Sequence, residues 1–315
     1  MKIIDATIKD CYPIEINNIA NNFNGATIFF AESNKDLWRL EHNFSFFCDI
    51  KTIVFPEWDC DFYDKCSPSR HILTERIKAL YAILKNKDDI VILTTPKAIM
   101  PLTIPVNMLE KLVFSLQVGQ KTDIDIISLT LTELGYMRTN NAQNYGDYAI
   151  RGDIIDIANI DHETGHRIDI FGDTVDKIKQ FNLLSQTSTG VNAQNLTILP
   201  IDEVIINKQT LATFTKNATQ TNAMHLSIID GIKIMNYIHY LPFFYEKPSN
   251  FFDYIKIPMQ QIATNTSLAL FTILKNEIDI NYQHSQNDNY NKYCYPSSLQ
   301  SFCINLFSSF NAGND

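Results

Sequence analysis

The run Gly146-Asp-Tyr-Ala-Ile-Arg-Gly-Asp-Ile-Ile-Asp-Ile157 pauses over Asn159 to Gly165, resumes as His166-Arg-Ile-Asp-Ile-Phe-Gly-Asp173, and continues from Thr174 to Phe181. These three runs read as three strands. In the second, period-two alternation sends Ile168 and Ile170 to one face and Arg167, Asp169 and Phe171 to the other, as in a sheet with one buried side. A Phe sharing the open side with an Arg is ordinary as a single exposed apolar side chain. The same pair on a rigid sheet is also the composition of a protein-binding hot spot.

Two short patterns inside this stretch point elsewhere. His162-Glu-Thr-Gly-His166 matches the zinc-hydrolase pattern, in which His162 and His166 would hold the metal and Glu163 would act as base. That chemistry needs a helix so that both imidazoles share one face. Here Asn159, Asp161 and Gly165 punctuate two strand-like runs, which favours a hairpin loop. Arg151-Gly152-Asp153 resembles an adhesion tripeptide, but Gly152 beside a strand is better read as a bulge that re-aims its neighbours.

Outward from this segment, 315 residues exceed one small core, so two or three units are expected. A composition of 45% hydrophobic and 19% charged residues is that of a soluble globular chain. No apolar run approaches the ~18 residues of a membrane span, and Met1 to Asp10 lacks the apolar core of a signal peptide. The six cysteines, Cys11, Cys48, Cys60, Cys66, Cys294 and Cys303, form no Cys-x-x-Cys pair, so reduced thiols and a cytoplasmic location are expected. A net charge of −9 opposes bulk electrostatic binding to nucleic acid.

Before the central stretch, Gly25 to Ala31 reads as a buried strand, and Ser33-Asn34 caps a helix from Lys35 to Asn43 with Leu37, Leu40 and Phe44 on one stripe. Thr52 to Phe55 is a second strand, followed by the acidic and aromatic loop Glu57 to Asp64. Ser67-Pro68 is read as the start of a helix carrying Leu73, Ile77, Leu80 and Leu84, and Ile90 to Thr94 as a third strand. This alternation predicts a parallel α/β sheet covered on both faces. Neither Gly-x-x-x-x-Gly-Lys-Ser/Thr nor Gly-x-Gly-x-x-Gly occurs anywhere in the chain, so the cradle for nucleotide phosphates is missing. From Gln117 the pattern changes. Asp123 caps a helix bearing Ile124, Ile127, Leu131 and Leu134, Gly135 ends it, and the strands follow as a small inserted α+β unit. Leu196 to Pro200 is read as an apolar strand that begins the return segment completing the first domain, the rings between Met235 and Ile257 as packing over the first sheet, and Gln283 to Asn291 as a loop.

Several of these stretches, in order, resemble the N-terminal, UvrB-related part of the bacterial transcription-repair coupling factors. They are Phe55-Pro-Glu-Trp-Asp59 with Tyr63-Asp64, Ser67-Pro68, Thr95-Pro96, Gly135-Tyr136, Tyr148 to Gly152, Ile154 to Ile157, Arg167 to Phe171 and Ile198-Leu-Pro200. The resemblance implies a degenerate P-loop, RecA-like α/β domain split into residues 1–116 and 196–315, around an inserted UvrA-binding domain at 117–195. It implies no catalytic residue and no cofactor or metal in this segment, and carries UvrA contact over to Arg151, Arg167 and Phe171. Arg151 fits the open face by alternation only with a bulge at Gly152. In the full family, RNA polymerase and double-stranded DNA are engaged by further domains, and ATP with magnesium belongs to a motor not encoded here. A monomer is expected, as a fragment or a shortened natural protein. The competing readings are a UvrB-like DNA-binding module and the zinc hydrolase.

Overall fold

The computed structural model describes residues 2–4, 11–159, 163–218 and 223–287. Among them the strands run β1 (Lys2–Ile3), β2 (Ala26–Phe30), β3 (Thr52–Val54), β4 (Ile90–Thr94), β5 (Phe114–Gln117), β6 (Met137–Arg138), β7 (Asp147–Arg151), β8 (Ile154–Ile157), β9 (Thr164–Phe171), β10 (Thr174–Asn182), β11 (Ser188–Ala193), β12 (Asn195–Ile198) and β13 (Met259–Ala263). The chain divides into two compact units, residues 1–106 with 213–315, and residues 107–212.

The first unit is built on the sheet β1-β13-β2-β4-β3, parallel throughout. β2 and β4 are wholly buried because helices cover both faces. On one face Phe29, Val91, Leu93 and Ile262 meet Tyr12 and Ile16 of one helix and Leu37, Leu40 and Phe44 of another. On the other, Phe30 packs edge-on against Phe271 of the helix Asn265–Asn287, with ring centroids 5.4 Å apart.

Ser33 caps the helix Asn34–Phe47 through a bond from the Asp36 amide of 3.1 Å, and that helix runs one turn beyond Asn43. The helix expected to open at Ser67-Pro68 begins at Arg70, because Ser69 is the cap that accepts from the Ile72 amide. The Ser67 hydroxyl instead accepts from the Ile238 amide. A helix at Tyr12–Ala20 was not legible in the polar N-terminal pattern. Of the rings after Met235, Phe251 packs on Phe55 just beyond β3, with centroids 4.8 Å apart, whereas Tyr240, Phe243 and Phe244 gather around Phe214 of the helix Lys208–Asn217. The expected loop from Gln283 begins later: the helix continues through Asn287, and residues 288–291 lie outside the described residues. No helix among the described residues is long and apolar enough to cross a membrane.

The second unit holds the six-stranded sheet β11-β10-β9-β8-β7-β6. Its inner face, with Tyr148, Ile155, Ile157, Ile168, Ile170, Val175 and Ile178, packs on Ile127 and Leu131 of the helix Ile124–Glu133. The Asp123 side chain caps that helix by accepting from the Asp125 amide at 2.8 Å. Leu196 does not return to the parallel sheet. β12 pairs antiparallel with β5, and both lie in the second unit, whose limits reach past the expected boundaries at 116/117 and 195/196. An apolar strand shows that it is buried but not which sheet receives it.

Candidate functional site: the open face of the six-stranded sheet

The run from Gly146 to Ile157 is two strands. Arg151 pairs with Ile154, leaving Gly152-Asp153 as a two-residue hairpin turn with Gly152 at φ +59°. That turn replaces the expected bulge and settles the parity of Arg151. Ala149 pairs with Asp156, so Arg151, two residues on, shares the face of Asp156 by simple alternation. Asp156 in turn pairs with Arg167, and Ile154 pairs with Asp169. Arg151, Asp156, Arg167, Asp169 and Phe171 therefore all stand on the face opposite the core.

Asp156, a residue the sequence pattern does not single out, organises this face. Its fully buried carboxylate accepts from Arg167 Nε at 2.6 Å and Arg167 Nη2 at 2.9 Å, and from Arg151 Nη2. A buried carboxylate must be paired, and the forked guanidinium supplies two parallel donors in one plane. Bonding to Asp156 pushes Arg167 further above its already high range. The Arg167 guanidinium also lies over the Phe181 ring, 4.9 Å from its centroid. Phe181 belongs to a small cluster with Ala142, Ala149, Ala158 and Leu183 that buries part of this second face. Gly165 is required beneath it, since a Cβ there would stand 2.4 Å from the Ile157 carbonyl oxygen and 2.9 Å from the Phe181 ring.

The two arginines differ in exposure. The Arg167 side chain is 20% exposed and that of Arg151 is 45%. Phe171 is 82% exposed at the end of β9, where a second tight turn begins at Gly172 with φ +63°. The hairpin tips at 152–153 and 172–173 lie at the same end of the sheet, linked by a bond from the Ile170 amide to the Asp153 carbonyl. Asp169 accepts from Lys179 Nζ at 2.6 Å on the same face. The arrangement offers an exposed aromatic ring beside guanidiniums whose rotamers a buried anion fixes.

Of the zinc pattern, the described residues Glu163 and His166 lie immediately before and within a strand rather than on a helix. His166 lies in β9 with its partners Ile157 and Gln180 on the inner face, and its Nδ1 is 2.8 Å from Asn159 Oδ1. Burial drives its pKa down to about 4. His162 lies outside the described residues, Glu163 leads directly into β9, and no group of three metal-ligating side chains occurs among the described residues.

Residues 114–203 match the UvrB interaction domain family, a span that includes Arg151, Asp156, Arg167 and Phe171. The whole chain has more extended relatives. It is 27% identical over 293 residues to the transcription-repair-coupling factor of Rickettsia prowazekii, covering 90% of this chain and 25% of that protein. The Escherichia coli counterpart is 26% identical over 200 residues, 63% of this chain and 17% of the relative, and that of Bacillus subtilis 25% over 255 residues, 71% and 22%. The chain thus spans about a quarter of the length of the curated relatives it matches. It carries a match to the UvrB interaction domain and is similar over nine-tenths of its own length to transcription-repair-coupling factors.

Proposed function

We propose that the chain is a non-catalytic recruitment module of transcription-coupled nucleotide excision repair, and that it binds UvrA through Arg151, Arg167 and Phe171. The observation that carries this reading is the clamp of two arginines on buried Asp156 beside an 82% exposed Phe171, inside the residues that match the UvrB interaction domain. Fixing the guanidiniums before encounter lowers the ordering cost of binding, and a projecting aromatic supplies the apolar anchor.

The absence of catalysis in this reading rests on the sequence and on the connection after β2. Only Ala31, Glu32 and Ser33 separate β2 from the helix Asn34–Phe47, whereas the phosphate loop needs a glycine-rich stretch of about eight residues ending in Lys-Ser/Thr. The Asp36 amide in the first turn donates to Ser33 Oγ, and Glu32, Asp36 and Arg39 line the adjoining pocket. In this reading the segment holds no nucleotide, which the missing glycine-rich motif and the short connection support. ATP with magnesium, RNA polymerase and duplex DNA would belong to portions of the longer relatives outside this chain. Direct DNA binding is disfavoured by the loop after Trp58, which exposes Asp59, Asp61 and Asp64. Cytoplasmic residence as a monomer accompanies this role.

Calorimetric titration with UvrA from the same organism tests the proposal. Phe171→Ala is expected to weaken binding by about 2 kcal/mol, roughly 30-fold, without altering the melting of the protein. Undiminished affinity in both Phe171→Ala and Arg151→Ala would remove the assignment.

A further inference from the structure

The connection that follows β10 is a built turn. Asn182 Oδ1 accepts from the amides of Leu184 at 3.1 Å and Ser185 at 2.8 Å, the Gln186 amide donates to the Asn182 carbonyl at 2.8 Å, and the Asn182 amide to the Thr187 carbonyl at 2.9 Å. An asparagine side chain that takes up backbone amides in this way sets the path of the chain. That path places Gln186 at φ +61°, and Gln186 and Tyr63 are the non-glycine residues with positive φ among the described residues. Gln186 Oε1 is buried with no hydrogen-bond partner among the described residues. Left-handed backbone and an unmatched buried acceptor both cost free energy, and such costs gather at functional sites. Gln186 meets the open face in two ways. Its main-chain carbonyl accepts from Arg167 Nη2 at 3.4 Å, and its side-chain Nε2 donates to the Leu183 carbonyl at 2.6 Å and to the Ala142 carbonyl at 3.1 Å. Asn141, next to Ala142, presents its Oδ1 to Arg151 Nη1 at 3.4 Å. The Thr139 hydroxyl donates to the Asn141 carbonyl at 3.0 Å and holds this loop from one side, while Gln186 holds it from the other.

We propose that Gln186 is a positioning residue for UvrA binding, acting on Arg151 through the loop at Asn141 and Ala142. The inference rests on the assignment of that binding to Arg151, Arg167 and Phe171. The two arginines need it unequally. Arg167 is held by Asp156 through both Nε and Nη2, so its plane is already fixed. Arg151 has a single bond to Asp156, through Nη2, and a guanidinium on one bond can swing about it. The Asn141 acceptor removes that freedom, so less ordering remains to be done when the partner arrives. The side-chain amide of Gln186 is separable from the fold. Ala142 and Leu183 also pack with Phe181 in one apolar cluster, so losing the amide bonds loosens the loop without opening that core.

A double-mutant cycle on the full chain, read by calorimetric titration with UvrA, tests this. Gln186→Ala should weaken binding about fivefold, and the loss should vanish in the Arg151→Ala background while persisting in the Phe171→Ala background. Gln186→Gly removes the same side chain and relieves the left-handed backbone. Its binding loss should therefore equal that of Gln186→Ala while its melting temperature lies higher. A merely structural role would instead make affinity follow stability across the two variants. In the absence of UvrA, nitrogen-15 spectra should show faster guanidinium rotation at Arg151 in both variants. A wild-type protein that binds UvrA, with Gln186→Ala binding equally or losing as much in the Arg151→Ala background, would overturn this inference and leave the UvrA assignment standing. A folded wild-type protein that does not bind UvrA removes the assignment itself and this role with it.

Discussion

Removing Asp156 and removing Phe171 should have opposite signatures. Asp156→Ala leaves two guanidiniums without their common anion and a void under Arg167, so unfolding free energy should fall by about 3 kcal/mol in urea titration. Phe171→Ala removes a ring that is 82% exposed, and stability should stay within about 0.5 kcal/mol while UvrA affinity drops. Arg151→Ala lies between them. With its side chain 45% exposed, its share of the ion pair is screened, and its loss should cost under about 1 kcal/mol of stability. Arg167 is the mixed case, since its 20% exposed side chain both holds Asp156 and borders the open face. An Arg167→Ala protein must therefore be checked for folding before a binding loss is read as a lost contact.

At the level of the strand and the turn, two glycines are needed for different reasons. Gly165→Ala pushes a Cβ onto the Ile157 carbonyl oxygen, a backbone atom in the neighbouring strand that cannot move aside without breaking the pairing. A loss of about 2 kcal/mol or more is expected in chemical denaturation. A methyl group at Gly152 would meet nothing within 4 Å, so Gly152→Ala should cost only the left-handed backbone penalty of about 1 kcal/mol. Gly152→Asn should recover part of it, because asparagine tolerates that region. The hairpin turn at Gly152-Asp153 fixes which face Arg151 takes, so a variant that disturbs it should also weaken UvrA binding.

For the whole molecule, the second unit carries its own core, and β5 paired with β12 brings its two chain ends together. Residues 107–212 expressed alone should unfold cooperatively, as circular dichroism in urea would show. Each unit also contains a buried neutral histidine, His166 in one and His239 in the other, whose folded pKa is lowered to about 4 by burial. His239 is held on Trp58, at 5.6 Å between ring centroids, with Nε2 3.1 Å from the Cys66 carbonyl. Below an unfolded pKa of ~6.5 the unfolded chain gains a proton that the folded chain refuses until about pH 4. Stability should be fully present above pH 6.5 and fall toward pH 4, by on the order of 2–3 kcal/mol per histidine. In His166→Gln the decline between pH 7 and pH 5 should be shallower, and an identical slope would show that His166 does not contribute.

Residue pattern alone settles the layers of this protein and the parity of its central strand. Largely apolar runs at Ala26–Phe30 and Ile90–Thr94, short and bounded by turn residues, read as doubly covered strands, and alternation from Arg167 to Phe171 sets three side chains on one face whatever pairs beside them. The ordered motifs from Phe55 to Pro200 also carry the resemblance to the transcription-repair-coupling factors. What depends on register came from the tertiary structure: that Gly152-Asp153 is a turn, that Arg151 needs no bulge, that Leu196 joins Phe114–Gln117, and above all that Asp156 lies between both arginines. Asp156 and Arg167 lie eleven residues apart along the chain, and their meeting depends on the register between β8 and β9. Local pattern constrains which face a residue takes. Only pairing across strands decides what it touches there.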